Sequence, residues 1–309
     1  MSWVRRLLVT AAALALLLAT ASCGTETEGE SQAQTVTIVG QNSTEADILT
    51  QLYKRLLDRD GYRTRVEDLG ARDLYLGPLE KGRVQLAADY LATLTDDLNR
   101  RANGETATPV ASPDVAATLA QLTTLGEKYG ITPLRPARAE AGKGYAVTKA
   151  FAQQHRLTTL SDLGRLGRPV ALAAETTCAD RQDCGPGLER VYGIELSRIQ
   201  PLGQASGDTT RALLDGQVQL AQVGTTDGTL DRLGIVILDD DKNWQNAENV
   251  VPVVNSQWLE DNPKAKAELD KLSTVLTTAD LASLNAQVDG QQLEASQVAE
   301  DYLKAKGLI

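Results

Sequence analysis

Two stretches of this chain follow one pattern, LEKGRVQLAADYLATL at residues 79–94 and LLDGQVQLAQVGTTDGTL at residues 213–230. Each combines a helix end, a turn glycine (Gly82 or Gly216), the tetrapeptide VQLA and a loop. The equal register across helix, turn and strand predicts two lobes built on one plan. Because open α/β sheets bind ligands at the carboxyl ends of their strands, the loops after both VQLA strands should face a shared cleft.

The surrounding chain alternates short β-branched or apolar runs with longer helical patterns, which predicts an α/β fold with mostly parallel sheets. The run VTIV at residues 36–39 is the first expected strand. Asn42 and Glu45 follow it with the spacing of a helix N-cap, so the first helix should begin there. The backbone N–H groups of such a loop suit a ligand carboxylate or hydroxyl.

Two further segments, GYAV at residues 144–147 and VVPVV at residues 250–254, are predicted to cross between the lobes and form a hinge. Helical patterns continue from the second segment to the C-terminus, and we expect them to return to the first lobe. The first lobe is therefore predicted to comprise residues 36–141 and 253–309, and the second lobe residues 142–252.

The first residues have the pattern of a bacterial targeting segment: a pair of arginines, a charge-free apolar run at residues 7–21 and the ending TASC at residues 20–23. The run is shorter than the roughly 20 residues that span a bilayer, which disfavours a transmembrane anchor. The TASC ending resembles a lipobox, which disfavours an ordinary secretory peptide. We predict a lipoprotein signal peptide at residues 1–22, a lipidated Cys23 at the outer side of the bacterial cell membrane, and a flexible tether at residues 23–35.

Composition excludes several functional classes. The chain of 309 residues has 31 Lys and Arg against 41 Asp and Glu, so it lacks the basic surplus that a nucleic-acid partner requires. His155 is the only histidine and there are three cysteines, which are too few for a zinc site. The sequence has no nucleophile–base motif and no phosphate-binding glycine loop, so neither an enzyme nor a cofactor is expected.

Cys178 and Cys184 bracket the short loop CADRQDC. Because disulfides persist outside the cytoplasm, these two residues are predicted to form one, and the alternative is two separate buried thiols. A disulfide here acts as a clamp around Arg181, which lies inside the loop.

Several motifs in a fixed order resemble the substrate-binding proteins of osmoprotectant ABC transporters, which take glycine betaine, carnitine or choline. The resemblance runs from about Val36 to Ile309 and implies a two-lobed, type II periplasmic-binding-protein-like fold with two crossover strands. It also implies a monomer that closes on a small solute and delivers it to a membrane permease. The motifs are VTIVGQNSTEADIL, DYLAT, GYAV, RQD with GPGLERVYG, TTDG, LDDDK, PVV, ADLASLNAQVDG and KGLI.

The resemblance implies a box of tyrosines around a quaternary ammonium group, because a ring face attracts a cation that cannot donate hydrogen bonds. Tyr90 in DYLAT and Tyr145 in GYAV match two of these tyrosines. Thr93 matches a hydroxyl position, and Gln41 stands where the family has Lys or Gln. Arg181 matches the family's arginine that binds a ligand carboxylate through two parallel hydrogen bonds from its planar guanidinium group.

The chain departs from the family at the other half of this box. Gly224 stands where the family places a third tyrosine, and Glu248 stands near the fourth. Losing two rings predicts roughly 100-fold weaker betaine binding unless other groups compensate. Glu248 is a candidate ion-pair partner for the cation, Trp244 is a candidate replacement ring, and a backbone N–H of the helix-capping loop at Thr225 is a further candidate contact. The alternatives are another small polar ligand, or a sensory or scaffold lipoprotein.

Overall fold

The computed structural model describes residues 35–309. The predicted signal peptide, the predicted lipid attachment at Cys23 and nearly all of the predicted tether lie outside the described residues. Among the helices of the described part, none is both long enough and apolar enough to cross a bilayer.

Strands and helices alternate through most of the described chain. The strands are β1 (Val36–Gly40), β2 (Thr64–Asp68), β3 (Leu86–Tyr90), β4 (Ile131–Pro133), β5 (Lys143–Thr148), β6 (Val170–Ala174), β7 (Leu196–Pro201), β8 (Leu220–Gly224), β9 (Ile235–Leu238) and β10 (Val250–Asn255). The α-helices are α1 (Thr44–Arg59), α2 (Arg72–Glu80), α3 (Leu91–Asn103), α4 (Val115–Glu127), α5 (Lys149–His155), α6 (Leu160–Arg165), α7 (Gly185–Gly187), α8 (Gly207–Leu214), α9 (Ser256–Asp261), α10 (Pro263–Val275), α11 (Thr278–Asn285) and α12 (Ala295–Ala305). Single π-helical turns, Leu188–Tyr192 and Ala286–Gly290, extend α7 and α11.

The strands form two five-stranded sheets with the same topology. The first has the order β2-β1-β3-β10-β4 and the second the order β7-β6-β8-β5-β9. In each sheet two pairings are parallel and two are antiparallel, and four of the five strands run in the same direction. The prediction of mostly parallel sheets therefore holds for the direction of the strands. The antiparallel pairs arise because β5 and β10 each enter their sheet from the other lobe, in the opposite direction.

The glutamine of each VQLA sequence accepts the same kind of hydrogen bond, from the backbone of the neighbouring strand, in both sheets. Gln85 Oε1 accepts a hydrogen bond from the Thr37 N–H at 2.7 Å, next to the start of β1. Gln219 Oε1 accepts one from the Ala171 N–H at 3.1 Å in β6. The predicted plan of two equivalent lobes is confirmed, because the glutamine just before β3 bonds to β1 and the glutamine just before β8 bonds to β6 in the same way.

The chain crosses between the sheets one element earlier than predicted. GYAV lies within β5 and VVPVV within β10, so both are sheet strands. The crossings are residues 134–142 and residues 239–249, which run antiparallel side by side: the Ala141 N–H donates to the Glu248 carbonyl at 2.9 Å. Because β10 begins at Val250, the returning strand starts ahead of the boundary that the sequence predicted.

Local sequence sets the start of the first helix. Ser43 has an extended backbone, and its Oγ accepts a hydrogen bond from the Ala46 N–H at 3.2 Å. The predicted cap at Asn42 is therefore wrong by one residue. The apolar face of α1 packs against the first sheet and the C-terminal helices α10 and α12, and its buried members are Ile48, Leu49, Leu52, Leu56 and Leu57.

Candidate functional site

A cavity of about 710 Å³ lies between the two lobes. The first lobe contributes α2 and the start of α3, the second lobe contributes the loop before α7, and the crossing segments form the floor. Among the described residues that line it, none is aromatic. The polar lining includes Arg72, Thr93, Asp97, Lys143, Arg181, Asp183 and Glu248.

The first lobe's wall is built on a buried ion pair that sequence reasoning missed. The Arg72 guanidinium donates to both carboxylate oxygens of Asp89, whose side chain is 1% exposed. Tyr75 Oη donates to the same carboxylate at 2.6 Å. Burial acts to lower the pKa of Arg72, but the adjacent Asp89 carboxylate outweighs it, so the pKa lies above its ordinary value. Arg72 Nη2 also donates to Thr93 Oγ1 at 2.8 Å, which places that hydroxyl at the cavity.

Glu248 on the second crossing segment meets Thr93 at the floor of the cavity. Its Oε2 accepts the Thr93 N–H at 3.2 Å and lies 3.4 Å from Thr93 Oγ1. Burial raises the pKa of Glu248 to about 7, and the Thr93 N–H and the Arg72 charge oppose this rise. The structure therefore brings together two of the predicted site residues, and one of them titrates near neutral pH.

The second lobe's wall is a cluster of alternating charges. Arg181 Nε donates to Asp183 Oδ1 at 2.8 Å, and Arg181 Nη1 lies 3.2 Å from Glu175 Oε2. Lys143 Nζ donates to Asp183 Oδ2 at 2.9 Å. Burial opposes ionisation of Asp183, but hydrogen bonds and charge from Arg181 and Lys143 lower its pKa to about 2. Arg181 thus lines the cavity while paired with the protein's own carboxylates.

The loop that carries Arg181 is closed by a disulfide. Cys178 Sγ is bonded to Cys184 Sγ, and both side chains are fully buried in the second lobe's core. The backbone N–H of Cys184 also donates to the Arg181 carbonyl at 3.0 Å. The loop is therefore fixed at both ends beside the cavity.

Two predicted aromatic contacts lie in the core of the second lobe. Tyr145 is 1% exposed, and its hydroxyl donates to the Asp183 carbonyl at 3.3 Å. Trp244 packs between Tyr145, with ring centroids 6.3 Å apart, and Tyr192, with centroids 6.1 Å apart. Gly187 lies so close that a Cβ there would fall 1.9 Å from Trp244 Cζ2. The expectation that the Trp244 indole faces the cleft is therefore wrong, because the indole fills a core space left by glycine.

The remaining predicted contacts lie outside this cavity. The Tyr90 hydroxyl donates to Glu45 Oε1 at 2.6 Å, and burial together with the Glu45 charge raises the pKa of Tyr90. Gly224 lines a separate cavity of about 460 Å³ that Glu45 also lines. Gln41 is half-buried at the end of β1, and its carbonyl accepts the Ser43 N–H at 2.9 Å.

Thr225 ties the second lobe to the first crossing segment. Its N–H donates to the Gly142 carbonyl at 3.0 Å, and its Oγ1 donates to the Glu140 carbonyl at 2.8 Å. The Thr225 N–H is therefore already bonded to the crossing segment, and a ligand contact through a backbone N–H of this loop stays a prediction. The following residues form turns where the sequence suggested a capped helix.

A family model described as the substrate binding domain of ABC-type glycine betaine transport systems matches residues 34–305. The glycine betaine-binding protein YehZ of Escherichia coli is 34% identical over 182 residues, 56% of this chain and 60% of that protein, so the aligned part spans less than two thirds of the relative. A glycine-betaine-binding protein of Pseudomonas aeruginosa is 27% identical over 282 residues, 88% of each chain.

Solved structures share the fold. The apo form of YehZ from Escherichia coli superposes with a TM-score of 0.76 at 28% identity, covering 90% of this chain and 100% of that one. A structure described as a glycine betaine/carnitine/choline ABC transporter superposes with a TM-score of 0.77 at 22% identity, covering 88% and 99%. At that identity the second match supports the fold alone.

Proposed function

Because the chain belongs to the family of substrate-binding domains of ABC-type glycine betaine transport systems, we propose that it captures a glycine betaine-like solute outside the cytoplasm and delivers it to a membrane permease. The named relatives, glycine betaine-binding proteins of two bacteria, support this choice of solute. Neither relative's name implies catalysis, and the family is one of binding domains.

One observation carries the proposal: Arg181 and Glu248 line the same cavity from different parts of the chain. Glycine betaine is a zwitterion, with a carboxylate at one end and a trimethylammonium group at the other. We place its carboxylate at Arg181 and Lys143, and its cationic end at Glu248. A carboxylate attracts a cation even when that cation cannot donate hydrogen bonds. Glu248 therefore supplies part of the attraction that the two missing tyrosine rings would provide.

Other contacts enter the proposal on the family resemblance alone. Gln41, Tyr90 and Tyr145 are proposed to complete the ligand's surroundings when the lobes close. Gly224 is proposed to leave room for a ligand larger than the family's tyrosine box admits, since a Cβ there would meet no other atom within 4 Å.

Closure follows from the two crossing segments. We propose that residues 36–141 with 250–309 move as one lobe and residues 142–249 as the other, since β10 begins at Val250 in the first lobe's sheet. The solute shifts the equilibrium toward the closed state because only there does it touch Thr93 in one lobe and Arg181 in the other. The body is proposed to be a monomer held at the membrane by lipid on Cys23.

The binding test is equilibrium dialysis of the full chain in mild detergent with labelled glycine betaine, carnitine and choline. Saturable binding of at least one of these solutes is expected. Arg181→Ala should weaken betaine at least tenfold while affecting choline, which has no carboxylate, by less than threefold. If no quaternary amine binds, the solute assignment fails; equal losses for betaine and choline remove Arg181 from the carboxylate end.

The anchor has its own test. Cys23→Ala should release the protein into the medium, or leave it uncleaved, and abolish incorporation of labelled fatty acid. Continued labelling of the variant would place the lipid elsewhere.

A further inference from the structure

Asp183 pairs with the arginine that the proposed function assigns to the solute's carboxylate. Arg181 Nε donates to Asp183 Oδ1 at 2.8 Å, and Arg181 Nη2 donates to Asp183 Oδ2. These two bonds have the parallel, bidentate arrangement in which an arginine holds a carboxylate. Asp183 therefore fills one edge of the guanidinium group in the way that a bound solute carboxylate would.

The neighbouring cation of this wall is paired with the same side chain. Lys143 Nζ donates to Asp183 Oδ2 at 2.9 Å. Glu175 completes the cluster, with its Oε1 3.5 Å from Lys143 Nζ and its Oε2 3.2 Å from Arg181 Nη1. The two cations of the cluster are thus balanced by two carboxylates. A solute carboxylate must replace one of the protein's own carboxylates to bind here.

Asp183 is the carboxylate that a solute can replace. It lines the cavity and its side chain is 41% exposed, whereas Glu175 is 22% exposed and accepts a hydrogen bond from Gln222 Nε2 at 3.3 Å. Once displaced, a side chain this exposed is solvated by water, so the release of Asp183 leaves no buried charge without a partner. Arg181 and Lys143 exchange one carboxylate for another.

The backbone at Asp183 is held in place on both sides. Its carbonyl accepts hydrogen bonds from the Tyr145 hydroxyl and from Gln245 Nε2, both at 3.3 Å. The next residue, Cys184, belongs to the disulfide that closes the loop. Asp183 therefore stays beside Arg181 and competes at the high effective concentration of a tethered group. Its carboxylate can leave the arginine only by rotation of the side chain.

We propose that Asp183 is a specificity-determining residue that competes with the solute's carboxylate for Arg181 and Lys143. This role rests on the proposed function, in which these two cations bind the carboxylate end of a betaine. The competition weakens the binding of betaine-like solutes, which carry a carboxylate. It does not act on choline-like solutes, which carry a hydroxyl group instead. Asp183 thus shifts the preference of the cleft toward solutes without a carboxylate.

The test is isothermal titration of the full chain in mild detergent, comparing Asp183→Asn with the wild type. The amide keeps the shape of the side chain and one acceptor oxygen for Arg181, and it removes the competing charge. Glycine betaine should bind the variant at least fivefold more tightly, and choline should bind no more tightly than it binds the wild type. Asp180→Asn removes the same charge from an exposed residue of the same disulfide loop and should change both affinities less than twofold.

The sign of the betaine effect separates competition from positioning. If Asp183 instead holds Arg181 in place for the solute, Asp183→Asn weakens betaine, and the proposal is overturned. An equal gain for choline also overturns it, because choline has no carboxylate that could compete. When quaternary amines bind the wild type and betaine gains nothing in Asp183→Asn, the proposed function stands and the competition does not.

Sodium acetate at constant ionic strength supplies an arm that needs no quaternary amine, because acetate carries the carboxylate alone. Acetate should bind Asp183→Asn at least fivefold more tightly than the wild type, and adding Arg181→Ala to that variant should remove the gain. If neither betaine nor choline binds either protein, the proposed solute is wrong and acetate alone decides. A gain that depends on Arg181 then supports the competition, and no gain overturns it.

Discussion

The side-chain amide of Asn285 in α11 donates a 2.9 Å hydrogen bond to the Thr226 backbone carbonyl, in the loop that follows β8. The same Nδ2 donates to Glu45 Oε2 at 2.9 Å, and Glu45 Oε1 accepts the Tyr90 hydroxyl. A C-terminal helix packed on the first lobe thus holds a loop of the second lobe. The Glu45 carboxylate links that contact to Tyr90, which we propose as a ligand contact. Nearby, Gly228 lies so close to α11 that a Cβ would fall 2.3 Å from the Ala282 carbonyl oxygen.

Asn285→Ala should weaken solute binding about tenfold. The variant removes one hydrogen bond between the lobes and leaves the Thr226 carbonyl without its donor, which costs about 1 to 1.5 kcal/mol in the closed state. Equilibrium dialysis measures the affinity, and small-angle scattering measures lobe closure. Asn103→Ala, at the exposed end of α3, is the matched control and should bind like the wild type. Undiminished affinity of Asn285→Ala would show that this contact does not select the closed state.

Arg72→Ala should lower the free energy of unfolding by about 3 to 5 kcal/mol, because it leaves the buried Asp89 carboxylate without its partner. Urea denaturation followed by circular dichroism measures the change. Arg65→Ala removes an arginine whose side chain is 57% exposed and should cost less than about 1 kcal/mol. A loss for Arg72→Ala as small as that of the control would mean that Asp89 is adequately solvated without Arg72.

Glu248 should make stability and solute binding depend on pH in opposite directions. Its pKa is raised from an ordinary value of 4.5 to about 7, so the folded state holds the proton more tightly than the unfolded state. Relative to Glu248→Gln, the unfolding free energy of the solute-free wild type should therefore fall as pH rises from about 4.5 to 7.

Binding of a cationic solute should instead tighten as pH rises from about 6 to 8, since only the ionised Glu248 carboxylate attracts the cation. Dialysis with choline across this range measures the effect, and the Glu248→Gln variant should show a flat profile. The same slope in the variant would assign the pH dependence to another group.

Replacing both cysteines, Cys178→Ala with Cys184→Ala, should lower the unfolding free energy by about 2 to 4 kcal/mol. Solute affinity should fall as well, because the loop carrying Arg181 loses its closure. Denaturation with and without a reducing agent measures the first effect, and the double variant should be insensitive to the reductant. If the reductant leaves wild-type stability unchanged, the bond is absent or contributes nothing.

Sequence patterns predicted the elements of the fold well where a local cause sets them. Helical patterns predicted the C-terminal part of the chain, where α10 runs over Pro263–Val275 and begins with a proline, a residue favoured in the first helical turn. The two VQLA strands occupy equivalent positions in their sheets. In each strand the glutamine, Gln85 or Gln219, accepts a hydrogen bond from the backbone of the neighbouring strand. The crossings were misplaced because β-branched runs indicate a strand without indicating its sheet, and pairing partners are distant in the chain.

The candidate site was predicted only in part. The family motifs selected Thr93, Arg181 and Glu248, which do meet in one cavity. Sequence reasoning missed Arg72 because an arginine at the start of a helix does not by itself indicate a site. Its ion pair with Asp89 becomes evident only in the folded structure. Trp244 was expected at the cleft because it lies four residues before Glu248 in the sequence. In the structure its ring fills the space left by the missing side chain of Gly187.

The sequence by itself determined the α/β class, the two-lobe plan and the motifs of the family, because these depend on periodicity and on residues close together in the chain. The tertiary structure alone decided the partners of Arg181, the near-neutral pKa of Glu248 and the bonded state of the Thr225 N–H. Each of these depends on distances between residues far apart in sequence and on how much water reaches them, and a linear pattern specifies neither.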